Sequence, residues 1–350
     1  MYKKKKGAIL VFTLLVLAII AVLSLQLLRG VRVHSYFAST VVAREQAKML
    51  CLGGIRLATA QLTQHLYDKN LEEEKRKDSE FLEKQFLSNV LPFLNKWQFF
   101  PLTKKEDGFD GEIKISISCE HGKANFNKIY FDYKNNKFKP VVVKELADFS
   151  RMSGLKFDRE DLQSNISKFF KDRKIPLNEI SELLEIKGFE NWKLFYEPPE
   201  KIQDKEEAQK RPVALMDMFT LWTDNKVDPW MLSDGTCFSW ELRRPEWGDA
   251  EKRKVFFERS IKRFKKDLGK NWSENWDVLL PMYGVRPTKM PFRLLSQQFD
   301  SRVYTVISCG KVRGIEQKVL VILELLNKKL QNKDSRKENV PAKILKVYWL

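Results

Sequence analysis

From Gly7 to Leu28 the sequence GAILVFTLLVLAIIAVLSLQLL holds no charged side chain, and this run constrains the chain more than any other feature. As a helix rising about 1.5 Å per residue it covers about 30 Å, the thickness of a bilayer's hydrocarbon core. It follows Lys3, Lys4, Lys5 and Lys6, and cytoplasmic retention of that cluster puts everything after Arg29 on the far side of the membrane. A secretory signal peptide has a shorter apolar region that ends at a small-x-small site. Here the run continues through Leu25, Leu27 and Leu28 into Arg29, so the expectation is a single-pass anchor over 8–28.

The helix should not stop at the membrane. The first proline is Pro92, and Ile55, Ala58, Leu62 and Leu66 recur three, four and four residues apart, the spacing of one apolar helix face. A continuous helix from Gly7 to about Leu66 is predicted, about 90 Å long, with its first third in lipid and its last third packed on a globular body.

The remainder is a folded chain. With 350 residues, 43% hydrophobic and 31% charged, it is neither disordered nor polytopic. Lys+Arg 63 against Asp+Glu 46 gives +17, which favours anionic surfaces without choosing among lipid, acidic protein and nucleic acid. The three histidines, His34, His65 and His121, lie far apart in sequence, and no HExxH, Walker loop, GxSxG or GxGxxG is present. These absences argue against an enzyme of a motif-bearing class.

Ile113, Ile115, Ile117 and Cys119 alternate with Lys114, Ser116 and Ser118, the period of a half-buried strand. The same pattern returns at Val303, Thr305, Ile307 and Cys309, at 318–325 and at 344–349. Five strands are predicted, split between 112–133 and 299–350, so the long middle must be an insertion on their sheet. There the apolar spacing is helical, as in Leu162, Ile166, Phe169 and Phe170 or Ile180, Leu183 and Leu184. Gly188 suits the left-handed end of a helix starting near Pro176. Polar stretches at 197–212 and 327–338 read as loops. The fold class is therefore α+β.

The lysines and Gly7 followed by Ala8-Ile9-Leu10-Val11-Phe12 resemble the class III leader of type IV pilins and pseudopilins, cut by a prepilin peptidase after the glycine. Phe12 stands where most members carry a glutamate. That absence is a mark of the minor pseudopilin K family of type II secretion, and further stretches are similar to it. Residues 43–62 look like its first helix, with small residues at Ala47, Gly53, Gly54 and Ala58. Residues 113–130 resemble its first hairpin, ending in Asn125-Phe126-Asn127. Residues 176–189 look like the signature of its inserted helical domain, and 299–326 with 342–350 like its closing strands.

The resemblance implies an organisation: leader 1–7, transmembrane helix 8–28, the first half of a pilin-like sheet part over 29–139, an inserted helical domain over 140–295, and the rest of the sheet over 296–350. It also implies a non-enzymatic role at the tip of a secretion pseudopilus. The chain would be cleaved between Gly7 and Ala8, with the globular domain periplasmic and the amino terminus on the cytoplasmic side of the inner membrane. Phe12, Leu15, Leu17, Ile20 and Leu23 would exchange lipid for sister helices. Implied partners are the I- and J-type minor pseudopilins, the prepilin peptidase, the inner-membrane secretion platform and membrane lipid. The alternatives are a minor pilin-like protein of a type IV pilus or DNA-uptake system, a scaffold on an uncut anchor, and a membrane-anchored enzyme without a recognisable motif.

Other candidate sites have competing explanations. The family binds calcium in its globular part, and Asp224, Asp228 and Asp234 are oxygen donors for such an ion, although no EF-hand spacing is present; capping and turn roles are the alternative. Cys119 and Cys309 each end a predicted strand of one sheet and form the expected disulfide if any forms, against four buried thiols acting as small hydrophobes. Leu183 to Phe189 resembles half of a helix-hairpin-helix, but Glu190 stands where phosphate binding wants a second glycine, so nucleic acid is not the expected partner. The basic, Phe-interleaved stretch 251–270 suits a helix with one buried face, or else a surface for an acidic partner. Cys119-Glu120-His121 puts a thiol beside an imidazole, yet adjacent turn residues rarely face each other for catalysis.

Overall fold

The computed structural model describes residues 4–63, 93–152, 159–195, 213–224, 226–228, 231–239, 302–325 and 342–350. In chain order its elements are α1 (Lys4–Thr63), β1 (Trp97–Leu102), α2 (Lys104–Asp107), β2 (Gly111–Cys119), a 3-10 turn (Glu120–Gly122), β3 (Ala124–Asn125), α3 (Phe126–Tyr130), β4 (Phe131–Asp132) and β5 (Lys137–Phe138). There follow α4 (Val141–Met152), α5 (Arg159–Lys171), a second 3-10 turn (Ile180–Glu185), α6 (Leu215–Met218), β6 (Phe219–Thr220), α7 (Asp234–Ser239), β7 (Val303–Val312), β8 (Ile315–Leu325) and β9 (Ala342–Trp349). The architecture is α+β: a long amino-terminal helix, an antiparallel sheet on that helix's carboxy-terminal half, and a largely helical middle.

The sheet has five strands in the order β1-β2-β7-β8-β9, every neighbouring pair antiparallel. Segments almost two hundred residues apart in sequence thus meet at its centre, where Ile117 lies opposite Val306. One face packs on α1, burying Ile115, Ile117, Val306, Val319, Val321 and Leu323 with Cys51, Ile55, Ala58 and Leu62. On the other face Leu320 and Ile322 pack with Met216, Trp222 and Leu345, so the sheet lies between the rod and the middle region. Arg313 (φ 49°) and Gly314 (φ 79°) form the turn between β7 and β8; positive φ at both positions matches the twist of a two-residue hairpin.

The first strand differs from expectation. β2 pairs with β1, which lies upstream of the predicted strand region, rather than forming a hairpin with residues after Gly122. Pro101 within β1 lacks an amide hydrogen, which an edge strand tolerates and a central one does not. Past the 3-10 turn the chain enters α3, capped by the Asn125 side chain accepting from Lys128 N–H. Phe126, Tyr130, Phe131 and Phe138 then join the core of the middle region with Leu146, Ile166, Phe170 and Leu183. That core therefore begins near Ala124 in the packing, ahead of the expected boundary at 140. The predicted helix from Pro176 is a short 3-10 helix at Ile180–Glu185, and Gly188 does take positive φ, at 107°.

Candidate assembly site: the helical rod and the junction that holds its head

α1 is 60 residues long, about 90 Å at helical rise. Along its membrane-length part Phe12, Leu15, Leu17, Ile20 and Leu23 are 68%, 54%, 62%, 53% and 58% exposed. Gly7 and Ala8 lie in the same unbroken helix. It is the one helix among the described residues long and apolar enough to cross a membrane. An all-round apolar helix uncovered by its own chain needs lipid or other helices around it.

Burial starts at Ala43 and continues at Ala47, Leu50, Cys51, Ile55, Ala58 and Leu62, each of them three or four residues from another, which keeps one face on the sheet. Small residues set the approach. A Cβ on Gly310 would stand 2.3 Å from the Ala47 carbonyl oxygen, and one on Gly54 would stand 2.1 Å from Ser308 Oγ. The carboxy-terminal end of α1 is tied to β1 by paired amides, Gln61 Nε2 donating to Gln98 Oε1 at 2.9 Å and Gln98 Nε2 to Gln61 Oε1 at 3.1 Å.

A buried polar junction joins the sheet to the middle region. Glu120 and Lys123 are each about 1% exposed and form an ion pair. Glu120 Oε1 also accepts from Thr305 Oγ1 of β7 at 2.5 Å, and Oε2 accepts from Thr220 Oγ1 of β6 at 2.5 Å. Both carboxylate oxygens are thereby engaged, the condition under which a buried ion pair persists. Beside it Asn125 donates to the Thr223 carbonyl. Asn127 binds both backbone polar groups of Leu177, while Phe126 between them sits 4.8 Å from Tyr130 and 5.2 Å from Phe219, ring to ring.

A further clamp closes the edge. Lys346 of β9 pairs with Glu179 at 3.0 Å. Burial and then Glu179's charge and hydrogen bond push the Tyr348 hydroxyl up to about 12. Behind them lies a cleft of about 110 Å³ lined by Glu120, Glu179, Trp222, Ile322 and Tyr348 among others.

The other sequence candidates fare less well. All four cysteines are free thiols, which overturns the Cys119–Cys309 bridge. In the β2–β7 register Cys119 lies opposite Tyr304 and Cys309 opposite Lys114, five positions apart along the strands and on opposite faces of the sheet, far beyond disulfide reach. Cys119 is no nucleophile either: burial first, then the Asp228 charge, holds its thiol well above the ordinary range.

Asp224 is exposed, Asp228 is buried, and Asp234 opens α7. Among the described residues no three His, Cys, Asp or Glu side chains gather as metal ligands. At the helix-hairpin-helix resemblance, Gly188 N–H donates to the Glu190 carboxylate at 2.8 Å, so the chain's own acid holds the amide a phosphate would use. The stretch 251–270 lies outside the described residues.

Sequence pattern missed the Glu120–Lys123–Thr220–Thr305 junction. Its only trace is a Glu and a Lys three apart inside an otherwise uncharged stretch, CEHGKANFN.

No family model and no curated protein matches the chain. Among solved structures it is similar to a chain in the crystal structure of the GspK–GspI–GspJ complex from the type 2 secretion system of enterotoxigenic Escherichia coli. The TM-score is 0.44 at 14% identity, covering 91% of this chain and 99% of that chain.

Proposed function

We propose that the chain is a minor pseudopilin of type II secretion, a structural subunit placed at the tip of the pseudopilus. Its α1 is held in the inner membrane until it packs against the helices of I- and J-type minor pseudopilins. The observation that carries this reading is the division of α1. One continuous helix is apolar from Val11 to Leu28, stays largely exposed through the mixed stretch to Val42, and is fastened to a sheet from Ala43 onward. A rod of that kind exchanges lipid contacts for helix contacts at little cost in apolar surface.

Phe12 supports the tip position. A filament-interior helix carries a carboxylate at this position to meet a neighbour's amino-terminal charge, and a carboxylate with no partner would cost several kcal/mol in an apolar setting. The middle region adds bulk on the face of the sheet away from α1, which opposes stacking within the filament. The head is periplasmic in this reading, because the lysines before Gly7 stay in the cytoplasm. A prepilin peptidase acts at Gly7–Ala8, the inner-membrane platform feeds the subunit into the assembly, and the chain performs no catalysis.

Amino-terminal mass spectrometry of the membrane-extracted protein tests the proposal. A mature start at Ala8, with a methylated amine, is expected, and Gly7→Val should block the cut. An unprocessed wild-type protein, or normal processing of Gly7→Val, would remove the pilin-type reading.

A further inference from the structure

The cleft behind the Lys346–Glu179 pair lies in the seam between the sheet and the middle region. Leu320 and Ile322 of β8 line one side, and Met216, Leu221 and Trp222 line the other. Its volume of about 110 Å³ is somewhat below the roughly 150 Å³ at which an engineered apolar cavity takes benzene. A short alkyl chain fits such a space, and the apolar walls favour it over water.

Charge then sets what that chain must carry. Among the described residues that line the cleft, the charged side chains are two acids, Glu120 and Glu179. Glu120 has nothing left to offer, because Lys123, Thr305 and Thr220 engage both of its oxygens. The Glu179 side chain is 34% exposed and reaches solvent. It is also held in place. Its backbone N–H donates to Glu182 Oε1 at 2.9 Å, its Oε2 accepts from Ser181 Oγ at 3.3 Å, and the Tyr348 hydroxyl hydrogen-bonds to it.

The protein's own lysine shows what this corner recognises. Lys346 Nζ stands 3.0 Å from Glu179 Oε1 and 5.5 Å from the centre of the Tyr348 ring. One ammonium is thus shared between a carboxylate and an aromatic face, an arrangement that also holds ligand cations. Lys346 and Tyr348 lie opposite Ile322 and Leu320, on the face of β9 turned toward the middle region. The other lysines of that face have acids beside them: Lys318 pairs with Glu316 at 3.4 Å, and Lys343 lies opposite Glu324.

The two members of the pair differ in freedom. The Lys346 side chain is 45% exposed on an edge strand, so its ammonium can swing into water for no more than the small cost of a surface ion pair. Glu179, fixed by its three partners, cannot follow. An incoming ammonium can therefore take the place of Lys346, whereas an incoming carboxylate that bound Lys346 would face the fixed charge of Glu179.

We propose that this cleft binds a primary alkylammonium group, with the alkyl chain between β8 and the middle region and the nitrogen on Glu179 in place of Lys346. A free amine and the lysine side chain of another protein both carry that chemistry, and the experiment separates them.

The test uses the full-length chain in lipid nanodiscs, with pentylammonium as the probe and saturation-transfer NMR on the probe as the readout, empty nanodiscs being subtracted. Millimolar binding is expected, with pentanol and pentanoate weaker by about fivefold or more because they lack the charge pair. Glu179→Gln should abolish the preference for the ammonium. Lys346→Ala should tighten binding about fivefold by removing the competitor, an effect that a merely structural lysine would not give. Thermal melting of both variants should be unchanged, since both side chains are partly exposed. Displacement of the probe by Nα-acetyl-lysine methylamide would assign the site to a lysine side chain of another protein, and failure to displace it would assign the site to a free amine. Four results overturn the proposal: no saturation transfer, pentanol or pentanoate binding as well as the amine, a preference retained in Glu179→Gln, or weaker binding in Lys346→Ala.

Discussion

The side chain of Asn127 satisfies both backbone polar groups of Leu177: Nδ2 donates to the Leu177 carbonyl at 2.8 Å and Oδ1 accepts from its N–H at 2.9 Å. The two residues lie fifty positions apart in sequence and both are buried, so one amide replaces a piece of sheet ladder at the centre of the molecule. Asn127→Ala leaves a buried donor and a buried acceptor unpaired, about 1–3 kcal/mol for each group. Urea unfolding of the detergent-solubilised chain should show a lower midpoint. Asn127→Asp retains an acceptor for the N–H but sets a carboxylate against the carbonyl, so it should not restore stability at neutral pH. A midpoint unchanged in Asn127→Ala would remove the clamp.

The Glu120–Lys123 pair makes a sharper prediction because its members fail differently alone and together. Lys123→Met strips the counter-charge from a carboxylate that has no route to water, a loss of about 3–5 kcal/mol for a buried pair broken on one side. The double change Glu120→Gln with Lys123→Met removes both charges and keeps a carbonyl acceptor for one threonine hydroxyl, while the amide donates to the other, whose hydroxyl rotates to accept. It should recover most of that loss, which a double-mutant cycle on thermal unfolding would measure. Equal destabilisation in the single and double variants would mean that volume, not charge, governs the site.

Much of the architecture is written in local pattern. The three-and-four spacing from Ala43 to Leu62 marks the buried face of α1, and the alternation at 113–119 and 303–309 marks the two central strands, because each pattern repeats the geometry of its own element. What escaped is set by distant partners. Trp97–Leu102 reads as a broken apolar run with a proline, and only its place at the sheet edge makes it a strand. The asparagines of Asn125-Phe126-Asn127 resemble a strand motif, yet their work is to hold Thr223 and Leu177, positions that no local spacing connects to them. The Cys119–Cys309 pairing fails for a related reason: that both cysteines lie on strands of one sheet is legible in the alternation, but facing direction and register are not, and a bridge needs both.

Close approach of α1 to β7 depends on two glycines whose neighbours differ in kind. At Gly310 an added methyl meets the Ala47 carbonyl, which is backbone and cannot rotate away, so Gly310→Ala should shift the rod and cost about 1–3 kcal/mol. At Gly54 the nearest atom is Ser308 Oγ, with Ile113 and Ile115 methyls next at 3.0 Å. Gly54→Ala should therefore be partly rescued by Ser308→Ala, whereas Gly310→Ala should not. Melting temperatures of the four variants decide this, and rescue of both by Ser308→Ala would contradict the geometry.

The thiols give a prediction that depends on pH. Burial lifts Cys51 from 9.0 to about 11, with the Gly310 backbone opposing and the Glu316 charge adding to the rise. Cys119 is raised further by burial and Asp228. A raised folded pKa means that the folded chain keeps a proton the unfolded chain gives up. This contribution to stability is complete below pH 9 and declines as pH climbs through the folded value near 11. Unfolding midpoints should accordingly fall between pH 9 and pH 11, and Cys51→Ala should flatten part of that slope. At pH 8 an alkylating reagent should label none of the four buried cysteines until denaturant is added, after which all four react without prior reduction. Rapid labelling of the native chain, or a need for reductant, would show that the thiols are not held as this packing holds them.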